Sequence, residues 1–165
     1  MVQNVSKWSK KDLLDTKNEK RRMPSMLGGE YRHSLDPKNR IFIPAKLRDE
    51  LGTTFVVAKD IREKCLKLYS LTEWAKYMEP IKQQARKLQA NVLRYLSSTM
   101  AEVTPDSHGR VVLPKDLVSF AEIDKNVVVV GCYDYAEIWA EENYERLKAD
   151  EDIEKMIADL EALGL

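Results

Sequence analysis

Apolar and polar positions begin to keep a regular beat at Glu30. Tyr31, His33 and Leu35 alternate with polar neighbours, the two-residue period of a half-buried strand. A turn over Asp36-Pro-Lys-Asn39 leads into Arg40-Ile-Phe-Ile43, which reads as a second strand. Pro44 suits the first turn of a helix, where its missing N–H would have had no partner. Ala45 to Leu51 supplies that short helix and Gly52 stops it. Phe55-Val-Val57 and Cys65-Leu-Lys-Leu-Tyr69 predict two more strands. Ser70-Leu-Thr-Glu73 is a capping-box pattern that predicts a helix through Trp74 and Met78, interrupted at Pro80. A second helix is predicted from about Ile81 to Ser97, with Ile81, Ala85, Leu88, Val92 and Tyr95 or Leu96 along one stripe.

The same order then returns: strand near Ala101–Val103, turn, strand Arg110–Leu113, helix Pro114–Ala121, strands Val127–Val130 and Ala136–Trp139, and a terminal helix from Glu141 to Leu163. The return is literal in places. Asp36, Arg40, Pro44 and Leu47 recur as Asp106, Arg110, Pro114 and Leu117, always 70 residues later, with apolar residues after each Arg. More faintly, Leu68-Tyr69 is answered by Ile138-Trp139, and Trp74 by Tyr144. One ββαββ unit with a trailing helix is therefore used twice, each copy expected to bury the other's apolar face. Asp36 and Asp106 open their turns, where a carboxylate accepts from backbone N–H groups two or three residues on. Asn39 and Gly109 hold the equivalent place that tolerates positive φ.

Composition narrows the classes. A chain of 165 residues, 44% apolar and 33% charged, suits one domain or two small halves sharing a core. It contains no apolar run of membrane-spanning length. Residues 1–27 are polar and poorly periodic and read as a disordered or weakly helical extension without a secretory signal, with Met26 an alternative start. Cys65 and Cys132 stand in unrelated contexts, which predicts reduced thiols in a cytoplasmic setting. The net charge of zero is unevenly spread: +4 over residues 1–28, +3 over 29–76, +3 over 77–98, and −5 each over 99–148 and 149–165. A basic front half fits a polyanionic partner.

Enzymatic signatures do not assemble. Six glycines, at 28, 29, 52, 109, 131 and 164, make no phosphate-cradling loop. His33 and His108 occupy different places in their copies, and neither pairs with a cysteine at metal-ligand spacing. His33 reads as a sheet-face residue and His108 as a solvated turn residue. Asp36 and Asp106 form a conceivable acid–base couple, but opening a turn is occupation enough for each, and each has an Arg four residues on to keep it ionised. The chain is read as a non-enzyme without cofactor or metal.

Two D-x-x-x-R hairpins in register bring a family into view. With them stand Gly29-Glu-Tyr31, Leu35-Asp-x-x-x-Arg-x-x-x-Pro-Ala-Lys-x-Arg48, Cys65-Leu-x-Leu-Tyr69, Glu73-Trp74 and Val128-Val-Val-Gly-x-x-x-x-x-Glu-Ile-Trp139. In these, from about Leu27 to Tyr144, the chain resembles the MraZ family of bacterial transcriptional regulators. The resemblance implies an α+β, mostly β fold: a double-split β-barrel of the swapped-hairpin AbrB type, built from two internal repeats with flanking helices. SpoVT-AbrB domains would span 28–76 and 99–144, joined by a connecting helix at 77–98 and followed by a C-terminal helix at 145–165. It implies a homo-oligomeric ring, cytoplasmic and nucleoid-associated, that binds repeated boxes in the promoter of its own cell-division and cell-wall operon, with no membrane or small-molecule partner. The residues expected to meet DNA are Arg40, Lys38, Asn39, Arg32, Arg48, Arg110 and His108, with Asp36 and Asp106 shaping the turns. Two departures stand out: the extension is longer than the family usually carries, and Asp116 replaces the basic residue that copy one has at Lys46.

Other readings stay open at this point. Arg40 and Arg110 could serve only to pair with Asp36 and Asp106; a mixed role is expected, with Asp shaping the turn and Arg facing DNA at least in copy one. The protein could be an AbrB-like antitoxin whose terminal helix, with Met156, Ile157, Leu160 and Leu163, grips a toxin. It could also be a non-catalytic oligomeric scaffold.

Overall fold

The computed structural model describes residues 26–84 and 86–165; the expectation for the extension falls, up to residue 25, outside the described residues. The elements run β1 (Glu30–Ser34), β2 (Arg40–Phe42), α1 (Ala45–Leu51), β3 (Phe55–Lys59), β4 (Cys65–Ser70), α2 (Leu71–Lys82), α3 (Arg86–Thr99), β5 (Ala101–Val103), β6 (Arg110–Val112), α4 (Lys115–Phe120), β7 (Asn126–Gly131), β8 (Ala136–Ala140), α5 (Glu141–Ala149) and α6 (Ile153–Ala162). The fold is α+β, with an antiparallel six-stranded sheet in the order β1-β7-β8-β4-β3-β5 and a separate two-stranded ribbon of β2 and β6.

The pairing explains how two copies make one body. The first strand of each copy leaves its own copy and joins the other: β1 pairs with β7, Tyr31 opposite Val129, and β5 pairs with β3, Val103 opposite Phe55. The copies meet again where β4 runs against β8, with Cys65 opposite Trp139, and in the ribbon, where Ile41 lies opposite Val111. Strand alternation then sorts the side chains. Phe55, Val57, Leu66, Leu68, Val127, Val129 and Ile138 point to one face of the sheet and form a single core with Ile41 and Val111 of the ribbon and Leu47 and Leu117 of α1 and α4. The opposite face carries two aromatic caps related by the repeat. Tyr69 stands 5.5 Å from Trp74, and Trp139 stands 6.3 Å from Tyr144, so α2 and α5 are docked by equivalent pairs. Leu27 is already part of the core, its N–H donating to the Tyr133 carbonyl at 2.9 Å.

Local chemistry accounts for most boundaries. Gly52 ends α1 at φ 93°, its N–H donating to the Arg48 carbonyl. Ser70 caps α2, its hydroxyl accepting from the Glu73 N–H at 3.1 Å. Three expectations are corrected. Pro44 stands one place before α1, its carbonyl accepting from Leu47 and Arg48 N–H. Pro80 does not interrupt α2, which continues to Lys82; on an exposed last turn the ring removes one backbone donor and little else, and the next helix starts only at Arg86. The terminal helix is two helices, because Asp152 turns its carboxylate onto the Lys155 N–H at 3.1 Å and caps a new start.

Candidate nucleic-acid interface

Each D-x-x-x-R turn is held by the same set of bonds. Asp36 Oδ1 accepts from the N–H groups of Lys38 and Arg40, both at 2.9 Å, while its Oδ2 accepts from Arg40 Nε at 2.6 Å. Asp106 repeats this with His108 and Arg110 N–H at 2.9 Å and Arg110 Nε at 3.0 Å. Asn39 and Gly109 take the required positive φ, 57° and 77°. Burial pushes the Asp36 carboxyl up, but the Arg40 N–H, its guanidinium and the Lys38 N–H together hold it below its ordinary value. At Asp106 the Arg110 N–H leads in lowering the carboxyl, with the His108 N–H and the Arg110 guanidinium adding to it. Both carboxylates are therefore ionised turn-formers.

The two turns are tied to each other. Ile43 N–H donates to the Gly109 carbonyl at 2.9 Å, and Leu113 N–H donates to the Asn39 carbonyl at 2.8 Å. With Ile41 and Val111 turned inward, the alternate residues of the ribbon all face out: Arg40 opposite Val112 and Phe42 opposite Arg110. The two arginines form a diagonal pair, about 7–8 Å apart by the geometry of antiparallel strands. Each spends Nε on its Asp; among the described residues neither pair of terminal guanidinium nitrogens has a hydrogen-bond partner. Lys38 and His108 are exposed at the turn tips, and Asn39 is half-buried.

Arg48 reaches this face from α1. Its Nε donates to the Ile43 carbonyl at 2.8 Å, and its guanidinium lies 5.8 Å from the Phe42 ring centre. A Cβ on Gly109 would come within 2.8 Å of the Arg48 guanidinium carbon, so copy two's turn rests on copy one's arginine. Arg32 is placed elsewhere. It leaves the opposite side of β1 from His33, which packs edge-on against Phe42 at 5.1 Å. Arg32 binds Glu145 at 2.6 Å, Glu141 at 2.9 Å and Glu30 at 3.2 Å, clamping α5 to β1, and these carboxylates raise its already high pKa. Asp116 has Lys59 at 4.0 Å as a counter-charge. Sequence reasoning missed Phe42 (36% exposed) and Val112 (58%), the apolar members of the outward face. The signal was there: each lies two residues after its Arg, on the same side of a strand.

The thiols read as structural. Burial pushes both up, Cys132 to about 11 and Cys65 further. Asp60, Cys65 and Glu137 bring potential ligand atoms within 4.8 Å of one another, but the Lys67 ammonium, 3.2 Å from Asp60, already supplies the cation there. No helix among the described residues is long and apolar enough to cross a membrane.

Comparison with known proteins places this geometry. Residues 26–94 and 97–163 each match the MraZ protein family, which is described as antitoxin-like. Relatives named Transcriptional regulator MraZ include that of Caldicellulosiruptor saccharolyticus, 38% identical over 144 residues, 85% of this chain and 100% of the relative. Those of Dictyoglomus thermophilum and Clostridium beijerinckii are each 37% identical, covering 78% and 85% of this chain and 88% and 100% of the relative. The class is that of transcriptional regulators, not enzymes. The chain belongs to the MraZ family, each half of it matching the family once.

Proposed function

We propose that this protein binds double-stranded promoter DNA through the outward face of the β2–β6 ribbon and represses its own cell-division and cell-wall operon. The observation that carries this is the ribbon itself. Two copies place Arg40 and Arg110 side by side, each oriented by an ionised Asp, with the guanidinium ends left over for a ligand. A two-stranded ribbon fits a major groove, where arginine donates in pairs to guanine and apolar side chains meet thymine methyls. Lys38, Asn39, Arg48 and His108 surround it as phosphate contacts that set register. In this reading the exchange of β1 and β5 is the swapped hairpin of a double-split barrel, and several chains close into a nucleoid-bound ring, presenting many ribbons to repeated boxes.

Counterion release makes such binding steeply salt-dependent. An electrophoretic shift assay with the protein's own upstream DNA, at two salt concentrations, tests the proposal. Retardation that weakens at higher salt and survives excess unrelated competitor is expected. Absence of any shift at low salt overturns it and leaves a scaffold role.

A further inference from the structure

We infer that α6 of one chain docks on the outer stripe of α3 of a second copy, and that this contact links the subunits of the proposed ring. The inference rests on the ring reading above and adds the surfaces that make it. Helix α6 repeats apolar residues at helical spacing, Ile153, Met156, Ile157 and Leu160, yet no residue of it is buried, and Ile153 is 61% exposed. Such a stripe is a surface in search of a cover.

The chain carries a second open stripe. On α3, Leu88, Val92 and Tyr95 recur along one face and remain exposed, Leu88 at 70%, while Leu96 turns inward to the sheet. The two stripes are opposite in charge. The segment 77–98 carries +3, with Arg94, bonded to Asn91, flanking the α3 stripe, and the segment 149–165 carries −5, with Glu154 and Asp159 bordering that of α6. Two helices that each repel their own kind, and match each other in apolar spacing and sign, select the heterologous pairing over either self-pairing. Within one chain both stripes stay uncovered: α3 lies over β3, and α5, which leads into α6, lies over β7 and β8. A contact from α6 of one copy to α3 of the next leaves one free surface at each end, which propagates until the rotation closes a ring.

The test uses two full-length variants, Leu88→Asp/Val92→Asp on α3 and Met156→Asp/Leu160→Asp on α6, all at exposed positions, with circular dichroism as a folding control. Light scattering at micromolar protein should give several chains for the wild type and a single chain, 19.1 kDa, for each variant alone. Mixing the two should restore one good contact and no more, giving twice that mass and nothing larger. Arg94→Glu and Glu154→Lys, which leave both stripes intact, should each shift the assembly toward smaller species at low salt. Variants that keep the wild-type mass, or a mixture that stays monomeric, overturn the contact while the ring stands. A monomeric wild type overturns contact and ring together, and a foreign toxin then becomes the occupant to seek. Binding of a single-box duplex by the monomeric variants reads out the DNA proposal separately.

Discussion

At the scale of residues, a carboxylate organises the turn and thereby aims a guanidinium. Asp36 and Asp106 were legible from turn chemistry because their bonds are local. What the arginines do across the ribbon was not, since it depends on which strand β2 pairs with. Replacing Arg40 by Ala should weaken promoter binding by about 1–3 kcal/mol and lower the salt slope by roughly one. Arg110→Ala should cost less, because its copy carries the acidic surplus; equal losses at matched folding would remove the asymmetry. Arg32→Ala should lower the thermal midpoint modestly, by releasing α5, and leave DNA affinity untouched. The turn aspartates also couple folding to acid. Their carboxyls are lowered in the folded chain, so the unfolded chain binds protons first. The stabilisation is complete above the ordinary carboxylate value of about 4 and is lost as pH falls through the lowered folded values. An Asp36→Asn/Asp106→Asn variant should melt with a flatter pH dependence in that acid range.

At the scale of elements, periodicity marked every strand and most helices, and it failed where a local bond outweighed the pattern. The apolar stripe from Glu141 to Leu163 reads as one helix, but the Asp152 cap makes two. Pro80 reads as a break, but a proline near an exposed helix end removes only a bond that water replaces. The repeat register also encodes a compensation that one copy alone hides. Where copy one has Arg48, copy two has Val118; where copy two has Gly109, copy one has Asn39. The glycine is needed because Arg48 fills the space beneath it at positive φ. Gly109→Ala should therefore destabilise by about 1 kcal/mol or more in denaturant titration, whereas Asn39→Gly should change little.

At the scale of the whole molecule, the residue pattern showed two copies, but a swapped hairpin was expected only from the family resemblance, since hydrogen-bond partners 44 to 100 residues away leave no local periodicity. The exchange has a direct consequence for folding. Residues 26–98 alone lack the partners of β1, β2 and the outer edge of β3, all of which lie in copy two. That fragment should not exist as a folded monomer; at high concentration it should form a symmetric dimer in which each chain plays both parts. Size-exclusion chromatography with circular dichroism checks this, and a folded monomer would show that the exchange is dispensable.

A pair of identical chains joined in this way would be bound by symmetry to carry the same residue on both sides of the ribbon. Covalent linkage lifts that obligation. Here one arm presents Asn39 and Phe42 and the other Gly109 and Val112, over an Arg48 that has no twin. A reading head with two different hands gains nothing from a palindrome. Its operator should have a direction, and inverting a single box relative to its neighbours should be felt as strongly as mutating it.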